Sequence, residues 1–176
     1  RSLFAGRTVF VVSSPAVLRL QGAVLDPLRS AARALVVLEV PDGEAAKSLA
    51  EAGRLWEAMA RAGGKRDSVV VAFGGGSVGD LAGFVAATFL RGVAFVQLPT
   101  TLLAQIDAAI GGKTAIDIAA GKNLVGAFHH PDLVAVDPDC LASLPDRDVS
   151  AGLAESIKHA LIADALELGY AETVRA

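Results

Sequence analysis

The chain is poor in features that would mark several protein classes. It carries a single cysteine, Cys140, among 176 residues. No internal disulfide can form, and a reducing, cytoplasmic setting is expected. There is no run of about 18 apolar residues, so no membrane span is expected. Positive charge is not in excess: 16 Lys and Arg stand against 19 Asp and Glu, giving a net charge of −3 and a pI near 5.6. That balance argues against nucleic acid as the main partner. No internal repeat, low-complexity tract or basic-then-apolar leader is visible. The chain opens at Arg1 rather than at a methionine, which places the natural start upstream or points to processing.

Apolar residues, by contrast, are abundant. The hydrophobic fraction is 53% and the mean hydropathy +0.50, supplied largely by Ala, Val and Leu, with Gly frequent among them. Two explanations are open: strands buried on both faces, as in a parallel sheet, or a surface covered by a partner. The length suits one domain, or one domain with an appendage.

Order along the chain favours the parallel sheet. Thr8–Ser13, Ala34–Val40, Ser68–Phe73 and Val93–Leu98 are short runs rich in Val, Leu and Phe. Between them Val17–Ala32, Glu44–Ala62 and Val78–Leu90 have helical composition. Strand and helix alternate, which predicts an α/β fold, Rossmann-like, with a mostly parallel sheet and ligands beyond its C-terminal strand ends. A short helix and a glycine turn are expected within Thr100–Lys122, and a further strand at Leu133–Val136. Composition shifts near Pro145–Asp148, and Val149–Ala176 reads as one long helix or two short ones. A boundary is therefore expected in residues 143–150, with an α/β domain over 1–148 and the start of a helical domain over 149–176.

The densest chemistry lies between Phe73 and Asp117. Gly74, Gly75 and Gly76 follow a buried strand and precede a helix. Glycine lets backbone N–H groups approach a phosphate, and the helix end adds partial positive charge. Gly74, Gly76 and Gly79 also fit GxGxxG, though the same residues fit a plain strand-to-helix turn. Asp80 can serve as first-turn helix chemistry or hold a ribose or carboxamide. Thr100 and Thr101 place two hydroxyls at a strand end, and Asp107 stands alone among apolar residues, so it is either exposed or bound to something. Lys113 and Lys122 each follow a glycine turn, and two such turns near a glycine loop fit anion binding. Glu155 and His159 are spaced i, i+4, which permits metal binding but also an ordinary helix pair. His129 and His130 precede a proline with no metal-ligand spacing.

The segments PDGEAAKS, FGGGSVGDLAGFVAATFLRGVAFVQLPTTLLAQIDAAIGGKTAID, GKNLVGAFHHP, CLASLP and GLAESIKHALI closely resemble the 3-dehydroquinate synthase family of sugar-phosphate cyclases. The resemblance implies a lyase of the shikimate pathway, leading to aromatic amino acids, that converts the keto-acid phosphate DAHP to 3-dehydroquinate and phosphate. The route it implies is transient oxidation of a ring hydroxyl with NAD, elimination of phosphate, re-reduction, ring opening and intramolecular aldol closure. It further implies a divalent metal, zinc or cobalt, and a homodimer acting on a small molecule. Residue by residue, it assigns cofactor contacts to Glu44, Lys47, Gly75, Gly76, Ser77, Val78, Gly79, Asp80, Thr100, Thr101, Lys122, Cys140, Leu141, Ala142 and Ser143. Lys113 is shared between cofactor and substrate. Asp107, Asn123 and Lys158 are implied to hold the substrate, Arg91 to reach the substrate phosphate of a neighbouring subunit, and Glu155 to be the first metal ligand.

Two departures qualify the resemblance. Its other two metal ligands are histidines in a C-terminal domain, and none of His129, His130 and His159 occupies those positions. His159 is therefore expected not to bind metal, and the chain alone is expected not to turn over DAHP. Ser13 and Ser14 also stand where many members have an acid or amide for the adenosine ribose. The alternatives are a 2-deoxy-scyllo-inosose or valiolone-type cyclase, a metal-dependent polyol dehydrogenase of the same architecture, and a non-catalytic NAD-binding domain.

Overall fold

A computed structural model describes residues 3–163. Its centre is a five-stranded sheet built from β1 (Thr8–Ser13), β2 (Ala34–Glu39), β3 (Val69–Gly74), β4 (Ala94–Pro99) and β7 (Leu133–Val134). The strand order is β2-β1-β3-β4-β7 and every pairing is parallel. Both β1 and β3 are buried along their whole length, which accounts for their unbroken apolar runs.

Alternate strand residues feed two cores, because successive side chains point to opposite faces. Phe10, Val12, Val70 and Phe95 pack with Leu55, Met59, Leu81 and Val85 on one face. Val9, Val11, Val69, Val71 and Phe73 pack with Leu18, Leu25 and Leu28 on the other. The first core lies against α3 (Leu49–Arg61) and α4 (Gly76–Thr88), the second against α1 (Pro15–Gln21) and α2 (Asp26–Ala31). Helix α3 buries Ala52, Leu55 and Met59 along one stripe, and its N-cap Ser48 Oγ accepts from the Glu51 N–H at 3.2 Å.

Several expected elements are revised. The helix expected over Val17–Ala32 is two short helices joined by a 3-10 turn at Gly22–Leu25. Pro27 starts the second because it fits a first helical turn but not a helix interior. The helix expected over Glu44–Ala62 is α3, starting only at Leu49; its expected first turn is a separate 3-10 turn, Gly43–Ala46, that stops before Lys47 and releases it for other contacts. Thr100–Lys122 contains a π-helical turn at Ala104–Ala108 and most of an antiparallel hairpin, β5 (Lys113–Ile118) with β6 (Gly121–Phe128). The hairpin packs on α4 opposite Gly83, where an added Cβ would lie 2.3 Å from Thr114 Cγ2. Helix α5 runs Asp146–Ala163; the remainder of the helix expected to Ala176 lies outside the described residues. Among the described residues no helix is long and apolar enough to cross a membrane.

Candidate active site

The sheet order reverses at β1: β2 lies on one side and β3 on the other. In such sheets the crevice beyond the strand C-termini at that switch point is the usual ligand position. A cavity of about 440 Å³ sits there, lined by Ser14 after β1, Gly75–Val78 after β3, and Thr100 and Thr101 after β4. Its far wall comes from Ser143, Leu144, Pro145, Asp148 and Ala151. Gly75 is the N-cap of α4, in extended backbone and with no side-chain cap, so the first-turn N–H groups remain available beside the cavity. An added Cβ at Gly75 would meet Thr101 Cγ2 at 3.0 Å. The loop is therefore glycine because the backbone approaches its neighbours closely, as a phosphate cradle requires. Ser13 is turned away from this cavity: its hydroxyl donates to the Phe73 carbonyl at 2.6 Å.

A second cavity, about 540 Å³, lies between α4, the π-helical turn and the hairpin. Asp80, Asp107, Lys113 and Asn123 line it with Thr114 and Leu124. Gly76 of the first cavity lies beside Ala108 of the second: an added Cβ at Gly76 would touch Ala108 Cβ at 3.4 Å.

One buried cation ties the second cavity together. Lys47, 4% exposed, donates to Asp80 Oδ2 at 2.8 Å and to Asn123 Oδ1 at 2.5 Å. Asn123 adopts a left-handed backbone, φ 57°, and its N–H donates to Asp117 Oδ1 at 2.8 Å. The Asp117 N–H in turn donates to the Lys47 carbonyl at 2.8 Å. Glu44 accepts from Ser77 Oγ at 3.1 Å and pairs with Lys122 Nζ at 3.1 Å, joining the glycine loop to the hairpin. Burial raises the Asp80 carboxyl above the ordinary aspartate value, with Lys47 pulling the other way.

Helix α5 supplies the third group. Glu155 Oε1 pairs with Lys158 and lies 3.5 Å from His159 Nε2, which is 3.8 Å from Asp107 Oδ1. The hydrogen bond to Glu155 raises the Lys158 ammonium pKa.

Most residues named from the sequence thus fall at the two cavities or in the network between them. Gly79 is buried beneath the loop against Gln97, and Arg91 lines neither cavity. Cys140 is buried, and that burial, with Asp137 and Asp139 nearby, raises its thiol pKa, so it lacks thiolate reactivity. Its carbonyl accepts from Gln21 Nε2 at 2.7 Å, and the same Nε2 donates to Ser143 Oγ at 2.9 Å. Sequence reasoning missed Gln21, Asp117, Leu144 and Asp148. Asp117 carried a usable signal, an acid inside an apolar strand; the others looked like ordinary surface positions.

Comparison with known proteins agrees with this geometry. The family model described as 3-dehydroquinate synthase N-terminal matches residues 37–151. The 3-dehydroquinate synthase of Symbiobacterium thermophilum is 60% identical over 133 residues, covering 76% of this chain and 37% of that protein. The one from Pelotomaculum thermopropionicum is 51% identical over 158 residues, covering 89% and 43%. The chain thus spans about two fifths of the length of these curated relatives. Among solved structures, a 2-deoxy-scyllo-inosose synthase complexed with carbaglucose-6-phosphate, NAD+ and Co2+ matches at TM-score 0.83 and 30% identity, over 90% of this chain and 43% of that one. A 2-epi-5-epi-valiolone synthase from Streptomyces hygroscopicus subsp. jinggangensis with NAD+ and Zn2+ matches at 0.80 and 32%, over 88% and 43%. A glycerol dehydrogenase from Schizosaccharomyces pombe, at TM-score 0.71 and 21% identity over 90% and 38%, shares the fold. With a family match across most of its length and a glycine loop set at the sheet's switch point, this chain belongs to the 3-dehydroquinate synthase family.

Proposed function

We propose that these residues serve the NAD- and metal-dependent conversion of DAHP to 3-dehydroquinate and phosphate. The observation that carries the reading is the pair of cavities on either side of the Gly76–Ala108 approach, with an uncapped glycine loop in one and Asp80, Asp107, Lys113 and Asn123 in the other. The solved neighbours with NAD+ and Co2+ or Zn2+ support the cofactor assignment. Identities of 51–60% to 3-dehydroquinate synthases, against 30–32% to the other cyclases, favour DAHP.

The switch-point cavity fits a dinucleotide. Gly75 and Gly76 admit the pyrophosphate to backbone N–H groups, and Thr100 and Thr101 add hydroxyls. When bound, NAD takes up and returns a hydride at one substrate hydroxyl, and a divalent ion held by Glu155 polarises that hydroxyl. Lys113 and Lys158 bind the substrate's anionic groups, while Asn123 and Asp107 orient its hydroxyls. Lys47 fixes Asp80 and Asn123 from beneath, a positioning role at the cofactor-facing end. Arg91 follows α4 in left-handed backbone, φ 65°; lining neither cavity of its own chain, it is assigned to the substrate phosphate of a second subunit in a homodimer. Residues 1–148 form the nucleotide-binding unit, and 149–176 open the metal- and substrate-binding part. The unpaired Cys140 fits a cytoplasmic setting.

Calorimetry tests the reading directly. NAD binds the chain, and Gly75→Val abolishes binding by placing a side chain against the pyrophosphate; unchanged affinity in that variant sinks the assignment. With NAD present, DAHP binds and Lys113→Ala weakens it. Tighter binding of carbaglucose-6-phosphate than of DAHP would assign the site to another sugar-phosphate cyclase.

A further inference from the structure

We infer that Asp117, which lines neither cavity, is a positioning residue for the second one: its carboxylate holds Asn123 in left-handed backbone, so that the Asn123 amide closes on Lys47 at the cavity wall. The inference deepens the reading of that cavity above and rests on it for the substrate. It gives a role to a residue that the family resemblance leaves out.

The hairpin places Asp117 where its register slips. Ile116 pairs with Val125, but Ile118 pairs with Gly121, so Asp117 alone stands opposite Lys122, Asn123 and Leu124. Irregularities of this kind bend a strand and re-aim its side chains, and they are common beside active sites. Here Asn123 and Leu124 line the second cavity, and Lys122 reaches Glu44 beside the glycine loop.

Three hydrogen bonds then close a ring. The Asn123 N–H donates to Asp117 Oδ1 at 2.8 Å, the Asp117 N–H donates to the Lys47 carbonyl at 2.8 Å, and Lys47 Nζ donates to Asn123 Oδ1. Asp117 supplies an acceptor from its side chain and a donor from its backbone, so it fixes Asn123 and Lys47 at once. A parallel bridge between Ser48 and Asp117 extends the second contact. Asn123 is the weak member of the ring. Its φ of 57° is left-handed, a region that asparagine enters more readily than most residues but still at a cost. Its side-chain oxygen is committed to Lys47, so the backbone is held through its N–H. A carboxylate is a strong acceptor for that group. Without it Asn123 relaxes to negative φ, its amide leaves the cavity wall, and Lys47 loses a partner.

The first test needs no ligand. In hydrogen exchange followed by NMR, the Asn123 amide is protected in the parent and in Asp117→Asn, which keeps a carbonyl acceptor. It exchanges at least about tenfold faster in Asp117→Ala. The second test is DAHP calorimetry with NAD present. Asp117→Ala weakens DAHP by at least about tenfold, whereas Asp117→Asn stays within about threefold of the parent. In an Asn123→Ala background, Asp117→Ala weakens DAHP no further, because the side chain it positions is gone. Far-UV circular dichroism confirms that each variant is folded, and Asp117→Leu replaces Asp117→Ala if the latter does not fold. Equal Asn123 exchange in the parent and the folded variant overturns the inference. So does a loss of DAHP affinity of the same size with and without the Asn123 amide. If the parent binds NAD but not DAHP, the proposed function fails and the exchange measurement alone decides the role of Asp117.

Discussion

Lys47 is a long cationic side chain held almost out of water, and its partners explain why it is tolerated. Asp80 and Asn123 lie 33 and 76 residues away in sequence, so no local pattern could have paired them. The sequence marked Lys47 as a cofactor contact, whereas the structure also makes it a junction between α4 and the hairpin. Removing the cation leaves the Asp80 carboxylate, 24% exposed, without its partner. Lys47→Met should therefore cost about 3 kcal/mol in urea unfolding; a loss below about 1 kcal/mol would mean that water replaces the ammonium freely. Asp80 itself makes a pH prediction. Burial raises its pKa in the folded state, so just above 3.8, the ordinary aspartate value, the native chain holds a proton that the unfolded chain has released. Linkage then makes this group's contribution fall as pH rises through that window. The stability of the parent relative to Asp80→Asn should decline as pH climbs from 3.8. A rising difference would mean that the Lys47 pair outweighs burial.

At the level of elements, legibility tracked burial. Strands β1, β3 and β4 were readable because both faces are buried and Gly or Pro closes each run. The glycine loop was readable for the same reason. The β5–β6 hairpin was not: β6 is exposed over most of its length, so it shows no apolar alternation. Its glycines and lysines looked like turns. What holds it is a close approach that sequence alone does not display. An added Cβ at Gly126 would lie 2.1 Å from the Thr114 carbonyl oxygen and 3.0 Å from Ala115 Cα. Backbone cannot yield as a side chain can, so Gly126→Ala should destabilise by about 1–3 kcal/mol and open the second cavity. Gly111→Ala, with nothing within 4 Å of its added Cβ, is the matched control and should be close to neutral. Equal losses in the two variants would show that the hairpin contact does not set the effect.

Across the molecule, the switch-point cavity is where separate parts of the chain converge. Its walls come from the ends of β1, β3 and β4, from α1 and from the start of α5. A ligand seated there touches both sides of the central sheet through the helices that follow its strands, so its binding energy should add to the stability of the folded unit and not to one loop. At a free concentration of 100 times its dissociation constant, NAD should stabilise the chain by about 2.7 kcal/mol. For a domain of this size that corresponds to a rise in Tm of roughly 5–10 °C. Far-UV circular dichroism, which follows the whole sheet and its helices, should show the full shift as one transition. The same shift should be absent in Gly75→Val, whose added Cβ meets Thr101 in the loop. A second, unshifted transition in the presence of NAD would mean that part of the described fold melts independently of the cavity, and that α5 or the hairpin is not coupled to the sheet through it.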